Sequence, residues 1–525
     1  MAEHDIDEAR GRLVRSASAI TPLTLLSRIT GYLREKVVAL FFGATARTDA
    51  FIVAWRIPNM LRDIVGEGAM SSAFIPVYSE VSETRDAEQA RAFVGRMVGM
   101  FAFILTAITV AGIVLSPWLV DLLAHDFRSN AWKFALTVSL NRWIFPYVFL
   151  VSLAALFQGI LNAHHRFAIS AAAPVFMNLG FIAATLALAP HLREPAYALA
   201  AGVLFGGLLQ LAVQWPQISR LRAVGRPSLG WRDPAVRSVL LLAAPRLFAY
   251  GINTINLTFA TRFASGLGTS NVSRLYFANR LKELVLGGFA VALATAILPL
   301  LSRQALSGDR SEFKTTLAFS VRLIAFVTVP ATVGLILLRF PILRVLLQGG
   351  AFRPEDTRAT ADVLAMLALG LFFYAVVRVV VPAFYALKET RLPVVAAFAD
   401  CAVFVAGCFL LTPRLALPGI GLSSSVAAAV NVSILLFALR RREGRLRGRE
   451  ILASLLRIIG AALVMGAALW LALRFVDPTQ MRALWAVTAL CGLIAGGTAI
   501  YWLAAHWLGA PEPAELRRVA WRKKR

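Results

Sequence analysis

The sequence predicts an all-α polytopic membrane protein with about fourteen transmembrane helices. Three observations carry that prediction. Hydrophobic residues make up 58% of the 525-residue chain, the mean hydropathy is +0.69, and apolar runs of about 18 residues or more, enough to cross a bilayer core, recur from end to end. The net charge of +25 gathers in short segments between apolar runs, where basic residues set orientation, so nucleic acid is not expected as a partner. Cys401, Cys408 and Cys491 lie in apolar stretches without metal-ligand spacing and read as small core residues.

Taken in order, residues 1–18 are charged and mixed in sign, unlike the basic start of a secretory signal peptide, and no cleavage is expected. Spans follow at 23–42, 50–77, 94–119, 134–161, 171–189 and 197–213. A second six run 239–263, 275–301, 313–338, 359–387, 394–411 and 419–439, and 451–473 and 484–508 complete the set. Residues 340–347 read either as a short interfacial helix beside the ninth span or as ordinary loop. Basic clusters after the sixth span (Arg220, Arg222, Arg226, Arg232, Arg237), after the twelfth (Arg440, Arg441, Arg442, Arg445, Arg447, Arg449) and in the tail RRVAWRKKR all fall on one side. Excess Lys and Arg marks that side, with both termini, as cytoplasmic.

An internal repeat organises the spans. AFIPVYSE around Pro76 matches AILPLLSR around Pro299, and ILNAHHRF around Ala163 matches FYALKETRLP around Ala386, both at an offset of 223 residues. Gly43 and Gly266 share that offset, each closing the first helix of its half. The expected organisation is an N-lobe at 1–227, a C-lobe at 228–450 in parallel pseudo-repeat, and a C-terminal helix pair with a basic tail at 451–525. Parallel repeats of this kind hold substrate between rocking lobes.

The first hairpin is where the chain departs from ordinary membrane sequence. Residues 27–80 are apolar, yet they carry Arg28, Arg34, Glu35, Asp49, Arg56, Arg62, Asp63 and Glu67. Each ionisable group at the bilayer centre costs about 2.5–3.5 kcal/mol on insertion scales, so such groups face protein or a watered cavity and mark a pathway. Asp49, Arg56 and Asp63 recur every seven residues, Asn59, Arg62 and Gly66 follow a 0, 3, 7 spacing, and Arg280, Glu283 and Gly287 repeat it in the eighth span. Pro58 is expected to bend the second span or free a carbonyl for polar contact. The guanidinium forks of Arg28, Arg34, Arg62 and Arg280 suit phosphate or carboxylate oxygens, so the expected cargo is anionic, and a large amphiphile with a phosphate head would give the extra helix pair a purpose. Arg142, Arg246, Arg322 and Arg378 read as snorkelling or pairing locally. His164 and His165 read as turn residues. A structural ion pair between Arg28 and Glu35 is the plainer alternative to a cavity role.

The run SRITGYLREKVVALFFGATARTDAFIVAWRIPNMLRDIVGEGAMSSAFIPVYSE resembles the opening of the MurJ (MviN) lipid II flippases, a branch of the multidrug/oligosaccharidyl-lipid/polysaccharide exporter superfamily. The resemblance continues through FPYVFLVSLAALFQGILNAHHRF, ANRLKELVLGGFAVALATAILP and AFYALKETRLP. It implies export of lipid II, the undecaprenyl-diphosphate-linked peptidoglycan precursor, across the bacterial inner membrane by alternating access. It places the family's essential cavity arginines on Arg28, Arg34, Arg62 and Arg280 and its hairpin aspartate on Asp49. Ser273 and Glu283 match further cavity positions, and Asn59 and Glu67 complete the polar set of cavity and gate candidates. The last two helices would line a groove for the polyprenyl tail. Membrane lipids and proteins of cell-wall synthesis or division are the other candidate partners.

Two departures stand out: Asn279 takes the place of an acid often found before the eighth-span arginine, and the proline often found after the glutamate is missing in ELVLGG. Some members look sodium-coupled through carboxylates in the seventh and eleventh helices. Here the seventh span has no acid and Asp400 is alone in the eleventh, so no complete metal site and no cofactor is expected. Membrane potential or a monovalent cation gradient remains as the drive. An exporter of other lipid-linked oligosaccharides or of drugs in the same superfamily is the alternative. No nucleophile elbow, phosphate loop or paired carboxylates at metal spacing point to an enzyme.

Overall fold

Recurrent apolar runs fold here as helices because lipid leaves the backbone no other partner than itself. The computed structural model describes residues 2–62, 70–307 and 309–522, with side chains described outside 2–21, 70–72, 244–254, 288–292, 295–296 and 518–522. The helices are α1 (Ala2–Phe42), α2 (Ala46–Arg62), α3 (Met70–Thr84), α4 (Ala87–Ala124), α5 (Ala131–Ile144), α6 (Pro146–Ala163), α7 (Phe167–Leu188), α8 (Ala196–Ala212), α9 (Trp215–Leu221) and α10 (Pro234–Gly266). They continue with α11 (Asn271–Leu306), α12 (Arg310–Leu346), α13 (Pro354–Ala368), α14 (Leu371–Ala386), α15 (Arg391–Leu415), α16 (Leu417–Glu443), α17 (Gly448–Phe475), α18 (Ala483–Trp507) and α19 (Glu512–Arg522). Among the described residues there is no β-strand.

By length and composition, nine helical segments among the described residues can cross a membrane, and a tenth forms if α13 and α14, bent by 45°, count as one span. All ten overlay runs expected from the sequence. Residues 340–346 are no separate interfacial helix: α12 runs on through Pro341 to Leu346. Cys408 is buried as a core residue should be, but Cys491 is exposed, on a helix with much apolar surface outward.

The helices repeat in register. α4 and α12 start 223 residues apart at Ala87 and Arg310; the broken spans start 223 apart at Ala131 and Pro354 and end 223 apart at Ala163 and Ala386. The turns that follow each hold a left-handed residue, His165 (φ 57°) and Lys388 (φ 57°), again 223 apart. Gly43, with φ 61°, closes α1 where a side chain would be strained. In the second copy the helix ends at Gly266, while Gly268 (φ 101°) makes the left-handed turn.

Helix-internal prolines show how the polar bookkeeping closes. Proline lacks an N–H, so the carbonyl four residues earlier loses its donor. Asn141 Nδ2 donates to the carbonyl of Ala54, which Pro58 leaves free, at 2.6 Å, while Ser116 Oγ donates to Asn141 Oδ1 at 2.8 Å. Pro58 therefore frees a carbonyl as expected, and α2 stays continuous through it. Tyr501 Oη does the same for Phe326 ahead of Pro330, at 2.8 Å, and Gln158 Nε2 for Ser170 ahead of Pro174, at 3.4 Å.

Packing divides the chain into two compact units, Met1–Val272 and Ser273–Arg525. In the first, α1 lies on α7, α2 on α5, and α10 on α3 and α4. Thus α10, the first helix of the second sequence repeat, belongs by packing to the first unit. In the second, α15 pairs with α16, and α17 and α18 pack on α12 around Phe326, Ile458, Met465 and Tyr501. Arg322 of α12 holds α19 through Glu515 at 3.0 Å and Glu512 at 3.6 Å.

Candidate functional site

In the first unit Arg34 is the candidate most firmly fixed. It projects from α1 onto α7, where its Nη1 donates to Asn178 Oδ1 at 3.1 Å and lies 3.7 Å from Met177 Sδ. Its Nη2 donates to Glu35 Oε1 at 2.7 Å. The guanidinium sits 5.4 Å from the Trp55 ring centroid and 5.7 Å from that of Phe181, a cation–π setting that favours charge where water is scarce. Asn178 is aimed in turn, its Nδ2 donating to the Ser27 carbonyl and to Thr30 Oγ1. Glu35, the proposed partner of Arg28 in the plainer reading, accepts from its neighbour Arg34. Arg28 lies exposed on α1, six residues and about 120° around the helix from Arg34.

Asp49 stands apart from the arginines. It is fully buried in the first turn of α2, accepts from Lys133 Nζ of α5 at 2.8 Å, and accepts from the Ser270 backbone N–H at 2.7 Å. Lys133 Nζ also lies 3.7 Å over the Phe127 ring. Asn59 and Arg62 are half-buried at the other end of α2. The thirteen residues from Asp49 to Arg62 span about 20 Å of helix, so Asp49 and Arg62 cannot grip one diphosphate together. Asp63, Gly66 and Glu67 lie outside the described residues.

In the second unit Arg280 is exposed on α11, its guanidinium 5.0 Å from the Tyr276 ring centroid. Glu283 accepts from Arg378 Nη2 of α14 at 3.0 Å, with Lys282 Nζ 3.9 Å away. Lys282 is buried with its ammonium 4.5 Å from the centroid of Tyr374, whose hydroxyl donates to Ser424 Oγ at 2.7 Å. Ser273 is fully buried immediately before Arg274, which forks onto Asp356 at 2.8 and 3.1 Å. Asp400 is half-buried on α15. Among the described residues no three His, Cys, Asp or Glu side chains gather as metal ligands.

Sequence reasoning missed Lys133, Asn178 and Lys282, and set Arg378 and Arg322 aside as snorkelling or locally paired. The structure joins Arg378 to Glu283, 95 residues away, and Arg322 to Glu515, 193 away. For Asn178 a lone polar residue inside an apolar run was the available signal.

His164 is more than a turn residue, since its Nε2 shares a 2.7 Å hydrogen bond with Tyr78 Oη of α3. Burial, then His165 and Arg166, push its pKa below the ordinary 6.5. The folded state thus prefers the neutral ring. Its contribution to stability is complete above the unfolded value and is lost as pH falls through the folded one. The melting temperature of His164→Gln should therefore fall less between about pH 7 and pH 5 than that of the wild type; parallel pH profiles would refute this.

The family model of the lipid II flippase MurJ matches residues 38–489. Among curated relatives, the lipid II flippase MurJ of Burkholderia cenocepacia is 35% identical over 476 residues, covering 90% of this chain and 92% of that protein. The probable lipid II flippase MurJ of Rhizobium meliloti is 36% identical over 523 residues, covering 96% of each. Among solved structures, a lipid II flippase MurJ in an inward closed conformation aligns with a TM-score of 0.75 at 24% identity, over 93% of this chain and 97% of that one. An inward-facing multidrug resistance MATE family transporter of the MOP superfamily aligns at 0.63 and 14% identity, over 82% and 99%. These two structural likenesses speak for the fold.

Proposed function

The chain belongs to the MurJ lipid II flippase family, and from that premise we propose that it carries lipid II from the inner to the outer leaflet of the bacterial inner membrane by alternating access, with Arg28, Arg34, Arg62 and Arg280 binding the diphosphate. The observation that carries the arginine assignment is the setting of Arg34. It is 13% exposed, framed by aromatic rings and aimed by Asn178, and a guanidinium so placed gains more from a phosphate than one in water does. Asp49 and Lys133 hold the start of α2 in place, so that the arginine-bearing end is presented on a fixed helix. Glu283 and Arg378 form a pair that an incoming anion would compete for.

The fourteen spans of this reading are the ten apolar ones together with α1, α2 with α3, α10 and α11. The lobes follow the sequence repeat, 1–227 and 228–450, with 451–525 added. Both termini are cytoplasmic by the distribution of arginine. The protein moves its substrate without chemical change, and membrane potential acting on bound charge, about 2.3 kcal/mol per charge per 100 mV, supplies a sufficient drive. A drug exporter is disfavoured because four arginines repel the cations such carriers commonly take. Expressing the chain in cells depleted of their own lipid II flippase tests the reading: growth and lipid II export should return, and export of another substrate without lipid II would overturn it.

A further inference from the structure

A cationic cleft lies where the segment after α9 returns to the membrane. The segment is laid tightly on α4: Gly225 N–H donates to the Arg91 carbonyl at 3.1 Å, and Ser228 N–H to that of Gly95 at 3.3 Å. Only glycine allows this approach, because a Cβ at Gly95 would stand 2.6 Å from the Arg226 carbonyl oxygen and one at Gly99 would collide with the Ser228 backbone. Asp233 then caps α10, accepting from the Ala235 N–H at 2.9 Å, and accepts from Arg96 Nη1 at 2.6 Å. Burial pushes the Asp233 pKa up, but Arg96 and the Ala235 N–H outweigh it and hold the carboxyl below its ordinary range. The cleft so built has a volume of about 310 Å³ and is lined by Arg85, Arg96, Leu229, Arg232 and Asp233.

Its charge is unbalanced. Asp233 neutralises Arg96, which leaves the exposed Arg85 and Arg232, neither guanidinium of which is hydrogen-bonded to another group among the described residues. Beside them Leu229 and Trp231 are 54% and 53% exposed, and Trp231 meets the edge of Phe103 on α4 at 5.7 Å. Exposed tryptophan beside arginine marks the level of the lipid headgroups.

We propose that this cleft binds the phosphate of an anionic membrane phospholipid, with Arg85 and Arg232 on the phosphate and Leu229 and Trp231 against the first carbons of the tails. A free phosphate shares the headgroup chemistry but makes no use of the apolar side. The bound lipid would fasten the segment after α9 and the start of α10 to α4. The proposal is independent of the transported substrate, since it is read on the purified protein by lipid binding alone.

The test compares full-length wild type with Arg85→Ala/Arg232→Ala, leaving the structural Arg96–Asp233 pair intact, for binding of phosphatidylglycerol, phosphatidylcholine and inorganic phosphate in detergent. The wild type should bind phosphatidylglycerol and be thermally stabilised by it, and the double variant should lose about thirtyfold in apparent affinity, as expected for two basic residues at an anionic surface. Arg85→Lys/Arg232→Lys should keep most of the binding, which separates charge from misfolding. Equal phosphatidylglycerol binding by wild type and the alanine variant would overturn the site. Protection by phosphatidylcholine or by millimolar inorganic phosphate equal to that by phosphatidylglycerol would overturn its assignment to an anionic lipid.

Discussion

Lys133→Met should destabilise the protein by about 3–5 kcal/mol, the cost of leaving a buried carboxylate without its counter-charge. The Lys133 and Asp49 side chains are 4% and 0% exposed and meet at 2.8 Å, so water can reach neither once the other is gone. Methionine nearly keeps the volume of lysine, which makes the lost charge the main change. Restoring neutrality should restore most of the loss: Asp49→Asn/Lys133→Met exchanges the ion pair for a neutral pair of similar size, and the amide oxygen can still accept from the Ser270 N–H. Unfolding of the purified proteins in mixed detergent checks the cycle. A double variant as unstable as Lys133→Met would show that geometry, not charge balance, makes the pair matter. Transport by the stable double variant then reports separately on whether the Asp49 charge takes part in gating.

Arg34→Ala should reduce lipid II transport at least about a hundredfold while the protein still folds. Two charge-assisted hydrogen bonds to a phosphate, at about 1.5–3 kcal/mol each, set that scale. Arg34→Lys keeps the charge but loses the planar fork and the donor to Asn178, and should recover only part of the activity. Asn178→Leu should fall between, because it leaves Arg34 charged but unaimed. Its defect should shrink at high substrate, as a positioning defect does and a loss of fold does not. Transport assayed against lipid II concentration in proteoliposomes distinguishes these cases, and wild-type rates for Arg34→Ala would remove Arg34 from the site.

What the sequence made legible follows from what a bilayer selects. Ten spans were readable because lipid demands long apolar runs, and the 223-residue repeat copies even the ends of two of them, Ala163 and Ala386, although the breaks inside those two spans were not read from the sequence. The charged helices α1, α2, α10 and α11 were legible as a pathway because arginine in such runs is costly, and the resemblance then named the ligand. Partners were not legible. Lys133 sits at the very edge of its apolar run and finds Asp49 84 residues away, and Asn178 finds Arg34 144 residues away. No local spacing announces either. Pro58 predicted a free carbonyl but not that Asn141 would come from α5 to meet it, a pairing decided by helix packing. Arg378 was set aside for the same reason, since its value as a partner of Glu283 depends on where α14 lies.

The central claim, that the protein moves lipid II by holding its diphosphate with four arginines, is tested most directly in cells depleted of their own flippase. Arg28→Ala, Arg34→Ala, Arg62→Ala and Arg280→Ala are compared with wild type at matched membrane levels, and lipid II reaching the outer leaflet is measured. The wild type should restore export and each variant should fail; full export by all four variants would contradict the account.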